Sequence, residues 1–138
     1  MATRRTFLLR TLAFIGTGIS LRSSRVFAAR PRFAIHGSAA RLIACVDAKR
    51  SAEIIGVEYL RAFPAEGNAE QLANLIFSSF GIGYQDLVWA DRQEIKSLLA
   101  DQQRQDFAAD RVVDVGGWIL SRTEARLYAL TALSAAAR

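Results

Sequence analysis

The chain has 138 residues, a formal net charge of +5, a hydrophobic fraction of 51%, one cysteine and one histidine. Cys45 alone excludes an internal disulfide, and with His36 it excludes a metal cage built from cysteine and histidine. The length fits a single domain, and the basic charge would point to nucleic acid or anionic lipid were it not confined to one end.

Arg4, Arg5, Arg10, Arg22 and Arg25 all precede residue 29, and no acid does. The remainder carries 13 basic and 13 acidic residues, so it has no net charge and nucleic-acid binding is not expected. Thr3-Arg4-Arg5-Thr6-Phe7-Leu8 sets an arginine pair beside a Phe-Leu step. Thr11 to Leu21 follows as a weakly apolar run, well short of the ~20 residues that span a bilayer. The segment resembles a twin-arginine export signal, with Arg4, Arg5, Phe7 and Leu8 at the matching positions and Leu9 where that pattern prefers lysine. Val26-Phe27-Ala28 suits a signal peptidase, which places cleavage between Ala28 and Ala29. The resemblance implies the Tat translocon as the partner during export, a passenger that folds before crossing, and a periplasmic or extracellular destination. No stable transmembrane anchor is expected after cleavage. The competing reading is a basic amphipathic helix on a membrane surface.

An extended arm is expected over 29–37, containing His36. A first helix from Ser38 to Val46 puts Leu42, Cys45 and Val46 on one face, with Cys45 as a buried thiol. Ser51 is a good N-cap for a second helix reaching Phe63, with an apolar stripe of Ile54, Val57, Leu60 and Phe63. Gly56 in its middle costs about 1 kcal/mol relative to alanine, and a close crossing of another helix would explain it. Pro64 ends the run. Asn68 with Gln71 forms a capping pattern for a third helix to Phe80, and Gly81 suits its end. Tyr84, Leu87, Val88 and Trp89 form an aromatic connection, either a short helix closing over the core or a docking surface.

Asp91 with Glu94 repeats the capping signature for a long helix to Ala109, apolar in its first half; its polar second half is expected to face solvent or to meet a partner with polar groups. Val112 and Val113, then Gly116-Gly117, then Trp118-Ile119-Leu120 predict a hairpin with a two-residue turn. Ser121 with Glu124 caps the last helix, to Ala136. The prediction is an all-α fold: a small helical bundle of about five helices over 38–138, with a β-hairpin before the last helix.

No catalytic, cofactor-binding or metal-binding residue emerges, and no cofactor is expected. Gly81-Ile82-Gly83 lacks the lysine of a phosphate loop. A serine triad would have only His36 to draw on. Glu53, Glu58, Glu66 and Glu70 have the spacing of surface acids. Arg122 and Arg126 stand four apart on the last helix, an unfavourable pairing unless an acid answers it; Asp114 is the expected acid. Trp118 is expected to fill the gap between hairpin and last helix. In the competing reading it anchors a recognition patch with Arg122 and Arg126, and Tyr84 and Trp89 add further candidate interface residues.

Two runs carry a broader resemblance: Asp47-Ala48-Lys49-Arg50-Ser51-Ala52-Glu53-Ile54-Ile55-Gly56-Val57-Glu58-Tyr59-Leu60, and the stretch from Asp106 through Gly117-Trp118-Ile119-Leu120-Ser121-Arg122-Thr123-Glu124-Ala125-Arg126-Leu127. Both are similar to small twin-arginine-exported bacterial proteins of unassigned function. More weakly, the size, signal and helical make-up resemble the small escort subunits of periplasmic flavin-dependent sugar or alcohol dehydrogenases. The chain lacks the late cysteine-containing segment of that family. The resemblance implies a non-catalytic accessory subunit that carries a larger oxidoreductase subunit through export. The alternative is a stand-alone periplasmic helical binding or structural protein.

Overall fold

The structure, a computed structural model, describes residues 32–138. The arginine motif at Arg4, Arg5, Phe7 and Leu8 and the cleavage pair Ala28 and Ala29 lie outside those residues. Among the described residues there are six α-helices: α1 (Arg32–Ile43), α2 (Lys49–Ala62), α3 (Ala69–Ser79), α4 (Tyr84–Trp89), α5 (Arg92–Ala108) and α6 (Arg122–Ala136). Strands β1 (Val112–Val115) and β2 (Trp118–Ser121) form an antiparallel hairpin between α5 and α6, and a 3-10 turn, Pro64–Glu66, follows α2. The arrangement is the expected bundle with a hairpin before the last helix. The two strands make it mostly helical rather than all-α.

Two boundaries differ from the sequence reading. Helix α1 begins at Arg32, inside the stretch expected to be an arm, and takes in His36. Between Arg32 and Gly37 only the glycine strongly opposes helix. Cys45 and Val46 lie past its end, where their amides donate to the carbonyls of Leu42 and Ile43 and turn both side chains into the core. Helix α2 begins at Lys49, with Ala48 at the cap position and no side-chain cap. Ser51 therefore falls inside the first turn. Asp47, a capping residue type one position earlier, is drawn instead to Lys96 on α5, at 2.9 Å.

The other caps form as their spacing dictates. Asn68 accepts from the Gln71 amide, and Ser121 from the Glu124 amide. Asp91 and Glu94 complete a reciprocal capping box. Each such cap satisfies amides that the first helical turn leaves open, and is worth about 1 kcal/mol. Gly116 and Gly117 both have positive φ, as a two-residue hairpin turn requires. The register pairs Val113 with Leu120 and Val115 with Trp118.

Helix α6 is the hub: α1, α2, α3, α5 and both strands pack against it. Its closest neighbour is α2. A Cβ added at Gly56 would stand 2.1 Å from the Tyr128 carbonyl oxygen and 2.9 Å from the Ala129 nitrogen. The crossing therefore needs glycine, and it selects which face of α2 is buried. Ala52, Gly56 and Tyr59 go inward, against an α6 face that includes the fully buried Ala125 and Ala129. Ile54, expected in the apolar stripe, is 63% exposed, and Val57 is exposed beside it. Around the crossing, Leu42, Tyr59, Leu72, Ile76, Ile95 and Leu130 are fully buried.

Gly56→Ala is expected to cost about 3 kcal/mol, the upper end of typical overpacking, although alanine favours an isolated helix by about 1 kcal/mol. Gly37→Ala in α1, where an added Cβ meets nothing within 4 Å, should be neutral or stabilising. Urea denaturation of both variants checks the pair; equal effects would show that the crossing does not discriminate.

Candidate functional site

The arginine pair of α6 closes onto an acid, but not the expected one. Arg126 donates to Glu66 through Nε and Nη2, both at 3.0 Å, and Arg122 donates to the same carboxylate at 3.0 Å. Tyr59 adds a hydroxyl donor at 2.6 Å. Asp114 stays in the hairpin turn, where it accepts from the Gly117 amide at 3.0 Å. The clasp therefore holds the 3-10 turn to α6, rather than hairpin to helix. Arg122 also lies over the Phe63 ring, 4.5 Å from its centroid, and Tyr59 packs on Phe63 with centroids 4.7 Å apart.

The electrostatics follow from this geometry. Hydrogen bonding from Arg126 pulls the Glu66 carboxyl down to about 2, against its burial and with help from Tyr59 and Arg122. Burial, then the hydrogen bond to Glu66, pushes the Tyr59 phenol up to about 12. A carboxylate so fully engaged is a fastener rather than an acid or base. Arg126 spends Nε and Nη2 on Glu66 and Arg122 spends Nη2 on it, so both have a structural role. Nothing in the spacing of Glu66 separates it from the surface acids near it. Its role comes from the turn at Pro64, which swings it back toward α6.

A second polar anchor sits at the start of α6. Asp106, on the half of α5 expected to face solvent, is 2% exposed. It accepts from Gln102 and Arg111 on one oxygen and from the Thr123 amide on the other, each at 2.9 Å. Burial raises its pKa, but the bonds from Thr123, Gln102 and Arg111 outweigh burial and hold it below the usual carboxylate range. Asp106 thus ties the end of α5 to the first turn of α6, with Arg111 just before β1 also bound to it.

The two tryptophans are different. Trp118 is 62% exposed and its neighbour Ile119 is 64% exposed. The expectation of a packed ring is corrected: Val113, Val115 and Leu120 seat the hairpin on the helices, and Trp118, next to the turn, extends past them. Trp89 ends the short helix α4 and is 84% exposed, while Leu87 is the buried residue of that helix. Tyr84 opens α4. Arg41 of α1 pins α4 by donating to the carbonyls of Leu87, at 2.7 Å, and Ala90. So α4 both closes over the core and presents an aromatic outward. The five expected interface residues divide: Arg122 and Arg126 are occupied internally, Trp89 and Trp118 stand exposed on separate elements, and Tyr84 takes a place in α4.

A cleft of about 430 Å³ opens between the start of α2, α5 and α6, with apolar walls including Ala52, Ile55 and Leu127 and polar groups from Asp47, Lys96 and Gln103. Cys45 lies against it. Burial pushes its thiol up, against the opposing charges of Arg92, Lys96 and Arg41, so it is held as a neutral thiol and is a weak nucleophile. Among the described residues no group of three or more acids, histidine or cysteine is placed to hold a metal ion. No described helix is long and apolar enough to cross a membrane. Compared with protein-family models, curated proteins and solved structures, the chain finds no match.

The clasp gives a pH prediction. The folded-state pKa of Glu66 is depressed, so its contribution is present above the unfolded value near 4.5 and is lost as pH falls toward about 2. Glu66→Gln should lose on the order of 3 kcal/mol at neutral pH and flatten the stability profile between about pH 5 and pH 2. Chemical denaturation at a series of pH values checks this; parallel wild-type and variant profiles would contradict it.

Proposed function

We propose that this chain is an exported, non-catalytic accessory subunit that binds and escorts a larger partner. The reading is carried by one observation: the core closes without Trp89, Trp118 and Ile119, which are largely exposed. Large aromatic residues dominate the energetics of many interfaces. The hairpin exposes a tryptophan beside its turn and an isoleucine on the opposite face, and both are free for contact with a partner. The internal use of Arg122 and Arg126 supports the same reading, because it stiffens the α6 end next to the hairpin without consuming Trp118. The arginine motif at Arg4 and Arg5 supplies the export part, through the Tat translocon to the periplasm or beyond. The sequence resemblance suggests that the partner is an exported oxidoreductase subunit, with the chemistry and any cofactor on the partner.

A second reading, a stand-alone periplasmic binding protein, is favoured by the cleft beside Cys45. Its mixed lining and size suit a small molecule, and it needs no partner.

Purification of the tagged chain from periplasm of its native host separates the two. The escort reading expects a co-eluting larger chain, and a clean monomer would overturn it. Trp118→Ala should leave the stability of the isolated protein within about 0.5 kcal/mol of wild type, as for other surface positions. It should weaken partner binding by about 2 kcal/mol or more, as at a hot spot. A large loss of stability with intact binding would reverse that assignment.

A further inference from the structure

The cleft between α2, α5 and α6 carries one charge that no described residue answers. Three charged side chains line it: Asp47, Lys96 and Glu124. Lys96 is committed to Asp47, donating to both carboxylate oxygens at 3.0 and 2.9 Å, so those two cancel. Glu124 is half-buried. Among the described residues the only donor to its carboxylate is the Tyr128 hydroxyl, at 2.7 Å. Burial, then this bond, pushes the Tyr128 phenol up to about 12. The phenol therefore stays a neutral donor and leaves the negative charge in place.

The local sequence does not require this placement. Glu94 holds the third position of α5 and turns back to the Asp91 amide, at 2.6 Å, to close its capping box. Glu124 holds the third position of α6, after Ser121, yet its carboxylate goes to Tyr128 and joins the cleft wall. Much of the remaining lining is apolar, with Val46, Ala52, Ile55, Leu99 and Leu127. The volume of about 430 Å³ lies toward the small end of ligand sites, which run from about 300 to about 1,000 Å³. One positive charge on a compact apolar body matches this lining. The aromatic ring of Tyr128 beside the carboxylate also suits a cation. An anion would meet Glu124 and find Lys96 already taken, and a neutral molecule would leave Glu124 without a counter-ion.

We propose that this cleft binds a small organic cation, an ammonium carried on a short apolar or aromatic body. The ammonium donates to the Glu124 carboxylate, and the body lies on Ala52, Ile55, Leu99 and Leu127. The proposal rests on the small-molecule reading of this cleft and deepens it; the escort reading depends on neither.

Phenethylamine, 2-phenylethanol and 3-phenylpropionate share a ring and a two-carbon arm and differ in charge. Titration of the full chain with each, followed by heteronuclear NMR, reads both affinity and place. Phenethylamine is expected to bind at least about tenfold tighter than either analogue, the scale of a hydrogen bond to a charged group, and to shift the amides of Ile55, Leu99 and Leu127. Glu124→Gln removes the charge and keeps an acceptor for Tyr128. It should weaken phenethylamine by about tenfold or more and leave the alcohol unchanged. Equal binding of all three, or tightest binding of the propionate, overturns the choice of a cation and leaves the cleft a ligand site. Unchanged phenethylamine affinity in Glu124→Gln, or shifts elsewhere than the cleft, overturns it as well. If none of the three binds at millimolar concentration, the small-molecule reading falls with the proposal.

Discussion

Gly56 is where two helix backbones meet. Contact between α2 and α6 is possible only because no side chain stands between Gly56 and the Tyr128 carbonyl, and the rest of the packing is arranged around that line. With α2 drawn this close, Tyr59 at the next turn is driven fully into the interior, where its hydroxyl must find a partner. It finds Glu66, brought back by the turn at Pro64. The carboxylate then collects Arg122 and Arg126 from the same helix that Gly56 approaches. An apolar constraint at one point thus generates the polar clasp a turn or two away.

The start of α6 is also fastened to α5, by different means. Hydrogen bonds between neutral groups contribute about 1 kcal/mol each, and those to charged groups more. Asp106 makes three, all to groups that would otherwise be open or loosely held, and one of them is an amide in the first turn of α6. Because Asp106 sits near the end of α5 and Arg111 just before β1, the hairpin leaves from a fixed point. It also returns to one, since the Arg122 amide donates to the Arg111 carbonyl at 2.9 Å. A two-stranded hairpin is marginal alone. Here its base is held at both ends, and Val113, Val115 and Leu120 need only seat it.

Local signals in the sequence carried most of the fold. The pairs Asn68–Gln71, Asp91–Glu94 and Ser121–Glu124 each mark a helix start, because a cap is satisfied within four residues. Gly116-Gly117 marks the turn for the same reason. What misled was non-local. Ser51 is a sound cap by type, but α2 already starts at Lys49 with no side-chain cap, and Asp47 is paired with a lysine on α5. Ile54 and Val57 look like core by hydropathy, but the crossing at Gly56 fixes the rotation of α2 and turns them out. Periodicity gives the existence of a face, and only the neighbour decides which face. The arginine pair was legible as needing an acid; that the acid is Glu66 rather than Asp114 depends on a turn in three dimensions. Trp118 was placed at the turn correctly, yet the three smaller apolar residues of the hairpin already fill the space it was expected to take.

These two kinds of exposed apolar residue have different meanings. Ile54 and Val57 are exposed because α2 needs its smallest side chains where it meets α6. Their exposure is a by-product of close packing, and scattered surface residues of this sort call for no partner. Trp89 and Trp118 are under no such constraint. Helix α4 is held by Leu87 and by the two carbonyl bonds from Arg41, and the hairpin by its valines, so a small polar residue at either tryptophan would leave the fold intact. An exposed indole that its own fold does not use contributes nothing to folding and adds a tendency to associate. At Trp89 and Trp118 the exposure is therefore not a by-product of how the helices pack, as it is at Ile54 and Val57.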